Sequence, residues 1–307
     1  MINDVSIANI RLANHQLLDA HCITPRQIVA HFGIVQAQDF NSAKWAVGER
    51  LNGCSEKMVE NDFDKGEILR THVLRPTWHL VTPENIRWML KLSAKRVMQS
   101  MKSRDRELGL TDEIYTKCFH IIETALEKED NITRDELMNI LHHAGMKFDS
   151  SQFYHVVTGA EANGMICSGG LRDKKHTYAL LEKRVLPAKP LTKEESLAKL
   201  ARIYFTGHGP ATLQDFVWWS GLSTGEARQG LNAVSSEFIS ETIDGQKYWM
   251  PDIDFKPTSG TSLFYCLRST NTLWVIKTAR QHLLPKITKR RFRAMAFSVR
   301  WWLKTDL

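Results

Sequence analysis

Apolar residues recur three and four positions apart along most of the chain, which is the spacing of helices with one buried face. This periodicity predicts helices over residues 6–19, 25–33, 40–51, 84–102, 111–128, 133–143, 151–163, 193–206, 212–219 and 223–234. Between the helices lie short segments with the alternation of β-strands. One is His72–Val81, and two more are pairs of strands, 165–168 with 176–181 and 238–243 with 246–250.

Four of the predicted helices begin with a capping box, in which a hydroxyl residue and a Glu or Gln three positions later satisfy each other's backbone N–H groups. The four pairs are Thr24 with Gln27, Thr133 with Glu136, Thr192 with Glu195, and Ser223 with Glu226. These local signals predict where helices start, whatever the tertiary contacts are.

The order of helices followed by a hairpin occurs twice, in residues 133–181 and 193–250, and residues 6–81 fit the same order. A helix-turn-helix followed by a hairpin is typical of a winged helix. We therefore predict a mainly α protein with small β-hairpins, arranged as tandem winged-helix domains. The predicted divisions are winged helices over 1–82, 131–186 and 187–255, a helical spacer over 83–130, and an aberrant basic tail over 256–307.

Charge is unevenly distributed along the 307 residues, so the net value of +7 is misleading. Residues 264–307 carry ten basic residues and one acid, Asp306, whereas residues 1–263 carry 31 basic and 33 acidic residues. Because the body of the chain is nearly neutral, nucleic-acid binding cannot be argued from overall basicity and needs local evidence.

Several classes of protein are disfavoured by composition. The chain has no run of about 18 apolar residues of the kind that predicts a transmembrane helix. Its five cysteines are scattered singly, and its histidines do not fall at the spacing of metal ligands. The N-terminus also lacks a signal-peptide pattern. We expect a cytoplasmic monomer that binds no membrane and uses no metal or cofactor.

Two glutamines one residue apart form an unusual polar pair. Gln36-Ala37-Gln38 follows an apolar helix and precedes Asp39 and the helix that carries Trp45. On an extended link, side chains two positions apart point the same way, so both carboxamides would present donors and acceptors on one side. The residues alone leave two interpretations open. The pair could belong to a solvated loop or helix cap, or it could form a polar functional site.

A second polar cluster lies in the predicted strand 72–81. Arg75, Thr77 and His79 alternate on one face of this strand, against apolar neighbours on the other. The structural interpretation is an edge strand with a polar outer face. A third segment, 207–222, has the pattern of a tight turn into a helix-turn-helix, and its adjacent tryptophans are predicted to lie in the core rather than to form a stacking platform.

The chain resembles the winged-helix family of bacterial DNA glycosylases that includes AlkZ and YcaQ, in three stretches that are IVQAQDFNSAKWAVGERL, LRPTWHLVTPENIRWML and HGPATLQDFVWWSGL. The resemblance extends from about Arg11 to Met250. It implies three winged helices and the excision of N7-alkylated purines from double-stranded DNA, including the unhooking of interstrand crosslinks. The family's catalytic motif is Gln-x-Gln in the AlkZ-like branch and Gln-x-Asp in the YcaQ-like branch, and Gln36 and Gln38 match the former.

Neutral amides suit the chemistry that this resemblance implies. Alkylation at N7 makes the guanine cationic, so the base leaves readily without a strong acid. What remains is to position a water molecule and to stabilise the sugar, which Gln carbonyl oxygens can do. We therefore expect Gln36 and Gln38 to be catalytic in a monofunctional enzyme, because no lysine in the matched motifs is placed as a Schiff-base nucleophile. The expected DNA- and lesion-binding residues are Arg75, Thr77, His79 and Asp39.

The C-terminal motifs of the family, Leu-Pro-Ala-Phe-Asp-Glu and Asn-Gly-x-Phe-Arg-Pro, do not occur in this chain. A permitted coding of residues 265–274, read from its third base, nevertheless yields the first motif, and one of residues 294–305 yields the second in the same frame. We therefore predict a frameshift near Phe264. The alternative is a genuine basic tail, and resequencing the gene distinguishes the two.

Two other classes of function stay open from the sequence. A non-catalytic winged-helix regulator would bind DNA with salt-dependent affinity but release no base. A structural interaction module would have no affinity for DNA.

Overall fold

A computed structural model describes residues 4–18 and 20–252 of the chain. The helices in this part are α1 Asp4–Asn14, α2 Pro25–Phe32, α3 Phe40–Gly48, α4 Glu56–Lys65, α5 Pro83–Glu107, α6 Asp112–Lys128, α7 Arg134–His143, α8 Ser150–Ala162, α9 Leu181–Arg184, α10 Lys193–His208, α11 Leu213–Ser220 and α12 Thr224–Val234. The strands are β1 Val35–Gln36, β2 Leu69–His72, β3 Trp78–Val81, β4 Ile132–Thr133, β5 Ile166–Ser168, β6 Thr177–Leu180, β7 Ile239–Ile243 and β8 Gln246–Met250. The protein is mainly helical with small antiparallel sheets, as predicted.

The first two blocks of the chain share one order of elements. In each, a helix, a short strand and two helices are followed by two strands, α2-β1-α3-α4-β2-β3 and then α6-β4-α7-α8-β5-β6. The last strand lies in the centre of each sheet, in the orders β1-β3-β2 and β4-β6-β5. In the third block, α10-α11-α12-β7-β8, a single bridge from Ala211 to Trp249 replaces the first strand, and a short 3-10 helix, Ser235–Glu237, precedes β7.

The local signals in the sequence were reliable. All four predicted capping boxes are formed, with the reciprocal side-chain and backbone hydrogen bonds in place. The hairpins predicted within 165–181 and 238–250 are confirmed as β5–β6 and β7–β8. Helix α4 was missed because its sequence is strongly polar and buries only Val59 and Phe63.

The prediction of one strand over His72–Val81 was wrong. Strand β2 ends at His72, and β3 begins at Trp78 and pairs back onto it. Residues 73–77 form the turn, in which Leu74 adopts the left-handed region with a φ of 63°. The alternation of polar and apolar residues continues through the turn and therefore does not reveal it. The chain reverses there because β3 pairs with residues 69–71, and this pairing cannot be read from the alternation.

The outer edge of β2 is closed by side chains from other elements, which ties the first block to the second block and to α5. Unpaired N–H groups on an edge strand leave it open to pairing with another strand. Here three backbone N–H groups, two on β2 and one in the turn that follows it, donate to side chains. The hydrogen bonds are Arg70 N to Ser168 Oγ at 2.8 Å, His72 N to Glu161 Oε2 at 3.2 Å, and Leu74 N to Ser93 Oγ at 3.1 Å.

The predicted tail over 256–307 and the predicted frameshift near Phe264 lie outside the described residues. Within the described ranges, none of the helices is long and apolar enough to cross a membrane.

Candidate active site at the edge of the first sheet

Gln36 lies in β1, directly opposite His79 of the central strand β3. On the other side of His79, Thr71 of β2 occupies the matching position, so the three side chains form one row across the sheet. Antiparallel partners place their Cβ atoms about 5 Å apart on one face, so the Gln36 carboxamide and the His79 ring are neighbours. His79 and Thr71 are buried, whereas Gln36 is half-buried.

Gln38 continues this face beyond the end of β1. The backbone N–H of Ala37 donates to the carbonyl of Trp78 at 2.7 Å, so the chain stays paired with β3 past Gln36. Ala37 is fully buried, while Gln36 before it is half-buried and Gln38 after it is exposed. This alternation places both carboxamides on the side opposite the Ala37 side chain, as expected for an extended link.

Arg75 joins His79 on the same face. The Nη2 atom of Arg75 lies 3.5 Å from Nε2 of His79. Burial, and after it the nearby charge of Arg75, lowers the pKa of His79 well below its usual value. The imidazole is therefore neutral at physiological pH, and Nε2 is the nitrogen that accepts from a guanidinium, which can only donate.

Thr77 lies in the turn rather than on a strand. Its backbone N–H donates to the carbonyl of Arg75 at 2.8 Å. Its hydroxyl oxygen is buried and has no hydrogen-bond partner among the described residues. The sequence placed Arg75, Thr77 and His79 on one strand face, and the structure instead has only His79 on β3, with Arg75 reaching it from the turn.

Asp39 serves as the N-cap of α3. Its Oδ1 accepts from the backbone N–H of Ser42 at 2.6 Å, and this hydrogen bond lowers the pKa of the exposed carboxyl. The carboxylate thereby satisfies one of the free N–H groups at the start of the helix and interacts favourably with its positive end. Asp39 fixes the start of α3 immediately after Gln38.

A group of residues behind this face was not predicted from the sequence. The guanidinium of Arg70 lies over the ring of Trp78, with its carbon 4.3 Å from the ring centre, and contacts the backbone of Ala37 and Gln38. His72, its neighbour two positions along β2, hydrogen-bonds through its ring to the buried carboxylate of Glu161. The alternating strand pattern could have flagged Arg70 as a charged residue in a strand, but its partners come from distant segments.

The adjacent tryptophans of the third predicted segment have different environments. Trp219 is 6% exposed and packs in the core against Tyr204 and His208, as predicted. Trp218 is 52% exposed, so the core prediction was wrong for this residue. Consecutive residues on a helix point about 100° apart, which explains why only one of the pair is buried.

No group of three or more His, Cys, Asp or Glu side chains within the described ranges is arranged to hold a metal ion.

Comparison with known proteins agrees with this architecture. The profile of the family described as DNA glycosylase AlkZ-like matches residues 29–260. Because the match covers well over half of the chain, this protein belongs to the AlkZ-like DNA glycosylase family. The matched region contains Gln36, Gln38 and the residues around them.

Two comparisons lead to Streptomyces sahachiroi. The chain is similar to an interstrand DNA cross-link repair glycosylase, with 25% identity over 228 residues, which are 69% of this chain. The match spans 60% of the length of that relative. The chain is also similar to the solved structure of the DNA glycosylase AlkZ, with a TM-score of 0.67 and 21% identity over 80% of this chain and 69% of the other. The structural likeness shows a shared fold.

Proposed function

We propose that the protein is a DNA glycosylase that excises N7-alkylated purines from double-stranded DNA and unhooks interstrand crosslinks. The observation that carries the proposal is the placement of two carboxamides on one side of the first sheet, the half-buried Gln36 opposite the neutral ring of His79 and the exposed Gln38 just beyond it. Family membership and the activity named for the Streptomyces relative support it.

The charges of the site suit a cationic lesion. Gln36 and Gln38 are uncharged, so they can line an alkylated purine without repelling it, and the buried ring of His79 next to Gln36 adds no positive charge. Asp39, the carboxylate next to Gln38, is engaged in capping α3. Arg75 carries the positive charge, and we assign it to a phosphate of the damaged strand, which would hold the lesion beside Thr77, with the buried His79 behind them.

In the proposed reaction, the oxygen of a water molecule forms a bond to C1′ of the sugar while the bond from C1′ to N9 breaks. The electron pair of that bond neutralises the cationic base, which leaves as a neutral alkylpurine. The carboxamide oxygens accept hydrogen bonds from the water and orient it, but they take no proton. Gln38 is exposed, so the proton that the water loses passes to solvent.

The nearest lysine on the following helix is not placed for covalent catalysis. Lys44 of α3 is buried, and its ammonium group is paired with Glu56 and with Glu60, the latter at 2.6 Å. A Schiff-base nucleophile must be an uncharged amine that reaches the sugar. We therefore propose monofunctional hydrolysis.

We also propose that the three repeated blocks are winged helices with the boundaries predicted from the sequence, except that α6, which the prediction left in the helical spacer, begins the second block. The shared element order and the central position of the last strand support this. The loop of the second hairpin does not project freely, because the backbone N–H of Leu171 donates to Asp64 of the first block at 2.7 Å. In this arrangement, the second block supports the first sheet rather than presenting its hairpin to DNA.

The test uses two duplex substrates, one with 7-methylguanine and one with a nitrogen-mustard crosslink. Alkali converts each abasic site into a strand break, so breaks after incubation report excision. We expect breaks with both substrates and none with undamaged DNA. Salt-dependent binding without breaks would instead indicate a non-catalytic winged-helix regulator, and no binding would indicate an interaction module.

A further inference from the structure

Arg70 crosses the back of the first sheet to reach the segment that carries the two glutamines. It lies on the edge strand β2 and pairs with Leu80, so its side chain is on the face opposite to that of His79 and Gln36. Its Nε donates to the carbonyl of Ala37 at 2.9 Å, and its Nη2 to the carbonyl of Gln38 at 3.4 Å. One guanidinium thus holds two successive carbonyls beyond the end of β1.

The guanidinium rests on a surface that is itself fixed. Its carbon lies 4.3 Å from the centre of the Trp78 ring, at the distance of a cation–π contact. The Trp78 ring packs against His72 at 4.5 Å and against Tyr154 at 5.5 Å between ring centres. Nε2 of His72 lies 3.0 Å from the hydroxyl of Tyr154, and the other ring nitrogen contacts Glu161, so these rings have little freedom to move.

The peptide between the two glutamines is therefore held from both sides. The N–H of Ala37 donates to Trp78 of the central strand, and the carbonyl of Ala37 accepts from Arg70. Beyond this point, Gln38 is exposed and no longer in a strand, and Arg70 contacts its backbone carbonyl before α3 begins. A guanidinium suits this task because its donors form a rigid planar fork, which a lysine lacks.

We propose that Arg70 is the positioning residue of the catalytic segment, setting the place of the Gln38 carboxamide relative to Gln36 by clamping the carbonyls of Ala37 and Gln38 over Trp78. This assignment rests on the proposed glycosylase function. Arg70 acts through the backbone and does not touch the reacting atoms. Small displacements of a group that orients a reactant are costly to the rate, and a shift of about 1 Å can lower it by about a hundredfold.

The test compares Arg70→Lys with Arg87→Lys. Arg87 is a matched control, since it is also half-buried and also uses its fork, donating to Glu182 at 2.7 and 3.1 Å and to the carbonyl of Val185 at 2.7 Å. Three quantities are measured for each variant. They are the single-turnover rate on 7-methylguanine duplex, the dissociation constant for that duplex with its salt dependence, and amide hydrogen exchange over residues 36–39.

We expect Arg70→Lys to lower the single-turnover rate by at least about tenfold and to speed exchange over 36–39, with the dissociation constant and its salt dependence unchanged. Arg87→Lys should leave all three as in the wild type. A second variant, Trp78→Phe, removes part of the surface under the guanidinium. It should change the rate and the exchange in the same direction as Arg70→Lys, but by less. This variant keeps the test available if Arg70→Lys folds poorly.

Three results would overturn the assignment. They are an unchanged rate in Arg70→Lys, an equal loss in Arg87→Lys, and a loss confined to affinity with a weaker salt dependence, which would make Arg70 a phosphate contact. A wild-type chain that excises nothing would refute the proposed function itself, whereas an active wild type with an unimpaired Arg70→Lys variant refutes only the role of Arg70.

Discussion

At the scale of single residues, the environment determines what each side chain next to the glutamines can contribute. Asp39 looks in the sequence like a third polar member of the Gln36–Gln38 cluster, but its carboxylate accepts from Ser42 N and caps α3. His79 was expected from the sequence to contact the DNA or the lesion, but its ring is fully buried, and burial lowers its pKa and keeps it neutral. Among the described contacts, the carboxamides of Gln36 and Gln38 have no comparable structural role.

The capping role of Asp39 is separable from a role in contacting DNA. Serine caps a helix about as well as aspartate, whereas alanine does not. We expect Asp39→Ala to lower the free energy of unfolding by about 1 kcal/mol, measured by urea denaturation, and Asp39→Ser to leave it nearly unchanged. We also expect Asp39→Ser to excise 7-methylguanine at the wild-type rate. A large loss of excision with serine would show that the carboxylate contacts the lesion or the DNA, as the sequence suggested.

At the scale of elements, the sequence predicted what depends on neighbours along the chain and missed what depends on distant partners. The capping box of Thr24 and Gln27 and the hairpin over 238–250 involve residues a few positions apart, and both were predicted. The reversal at Leu74 depends on β2 pairing with β3, and the contacts of Arg70 with Ala37 and Gln38 span more than 30 residues. For the site, the glutamines could be identified from their pattern and the family resemblance, but their support by Arg70 could not.

The packing of α10 against α12 gives a prediction that helix propensity alone would get wrong. Alanine is normally better than glycine within a helix by up to about 1 kcal/mol. A Cβ at Gly230 would lie 2.6 Å from the carbonyl oxygen of Leu197 on α10, whereas a Cβ at Gly225 in the same helix meets nothing within 4 Å. We expect Gly230→Ala to destabilise the protein by at least about 1 kcal/mol and Gly225→Ala to be neutral or slightly stabilising, measured by urea denaturation. Equal effects of the two substitutions would contradict the close approach of α10 and α12.

At the scale of the whole molecule, buried histidines make stability depend on pH. Burial is the main cause that lowers the pKa of His15 well below its usual value and that of His208 to about 3. The two rings lie 5.5 Å apart in the packing between α1, α2 and α10, near His31 and Arg50, whose charges act in the same direction. The unfolded chain would protonate these histidines near pH 6.5, while the folded protein keeps them neutral.

The sign of the effect follows from proton binding. Below about pH 6.5 the unfolded chain holds more protons than the folded one, so the stabilisation is complete above that pH and is lost as the pH falls towards the folded values. We expect the free energy of unfolding to fall between about pH 6.5 and 5, by up to about 1.4 kcal/mol per pH unit for each such histidine. Carboxylates with lowered pKa values, such as Glu226 at about 2, lose their stabilisation only below about pH 4.5 and do not interfere.

The variant His208→Phe checks this account of acid sensitivity, because phenylalanine can keep the stacking on Tyr204, whose ring centre is 4.8 Å away. The slope of the unfolding free energy against pH over this range should become shallower in the variant. An unchanged slope would mean that the acid sensitivity has another origin.

The central claim is that the carboxamides of Gln36 and Gln38 position the water that releases a cationic purine. The most direct measurement is the single-turnover rate of 7-methylguanine release by the wild type, Gln36→Ala, Gln38→Ala and Gln99→Ala, the last being an exposed glutamine on α5 that serves as a matched control. We predict that Gln38→Ala and Gln36→Ala each lose about a hundredfold in rate with unchanged DNA affinity, while Gln99→Ala equals the wild type. Release by Gln38→Ala at the wild-type rate would contradict the claim.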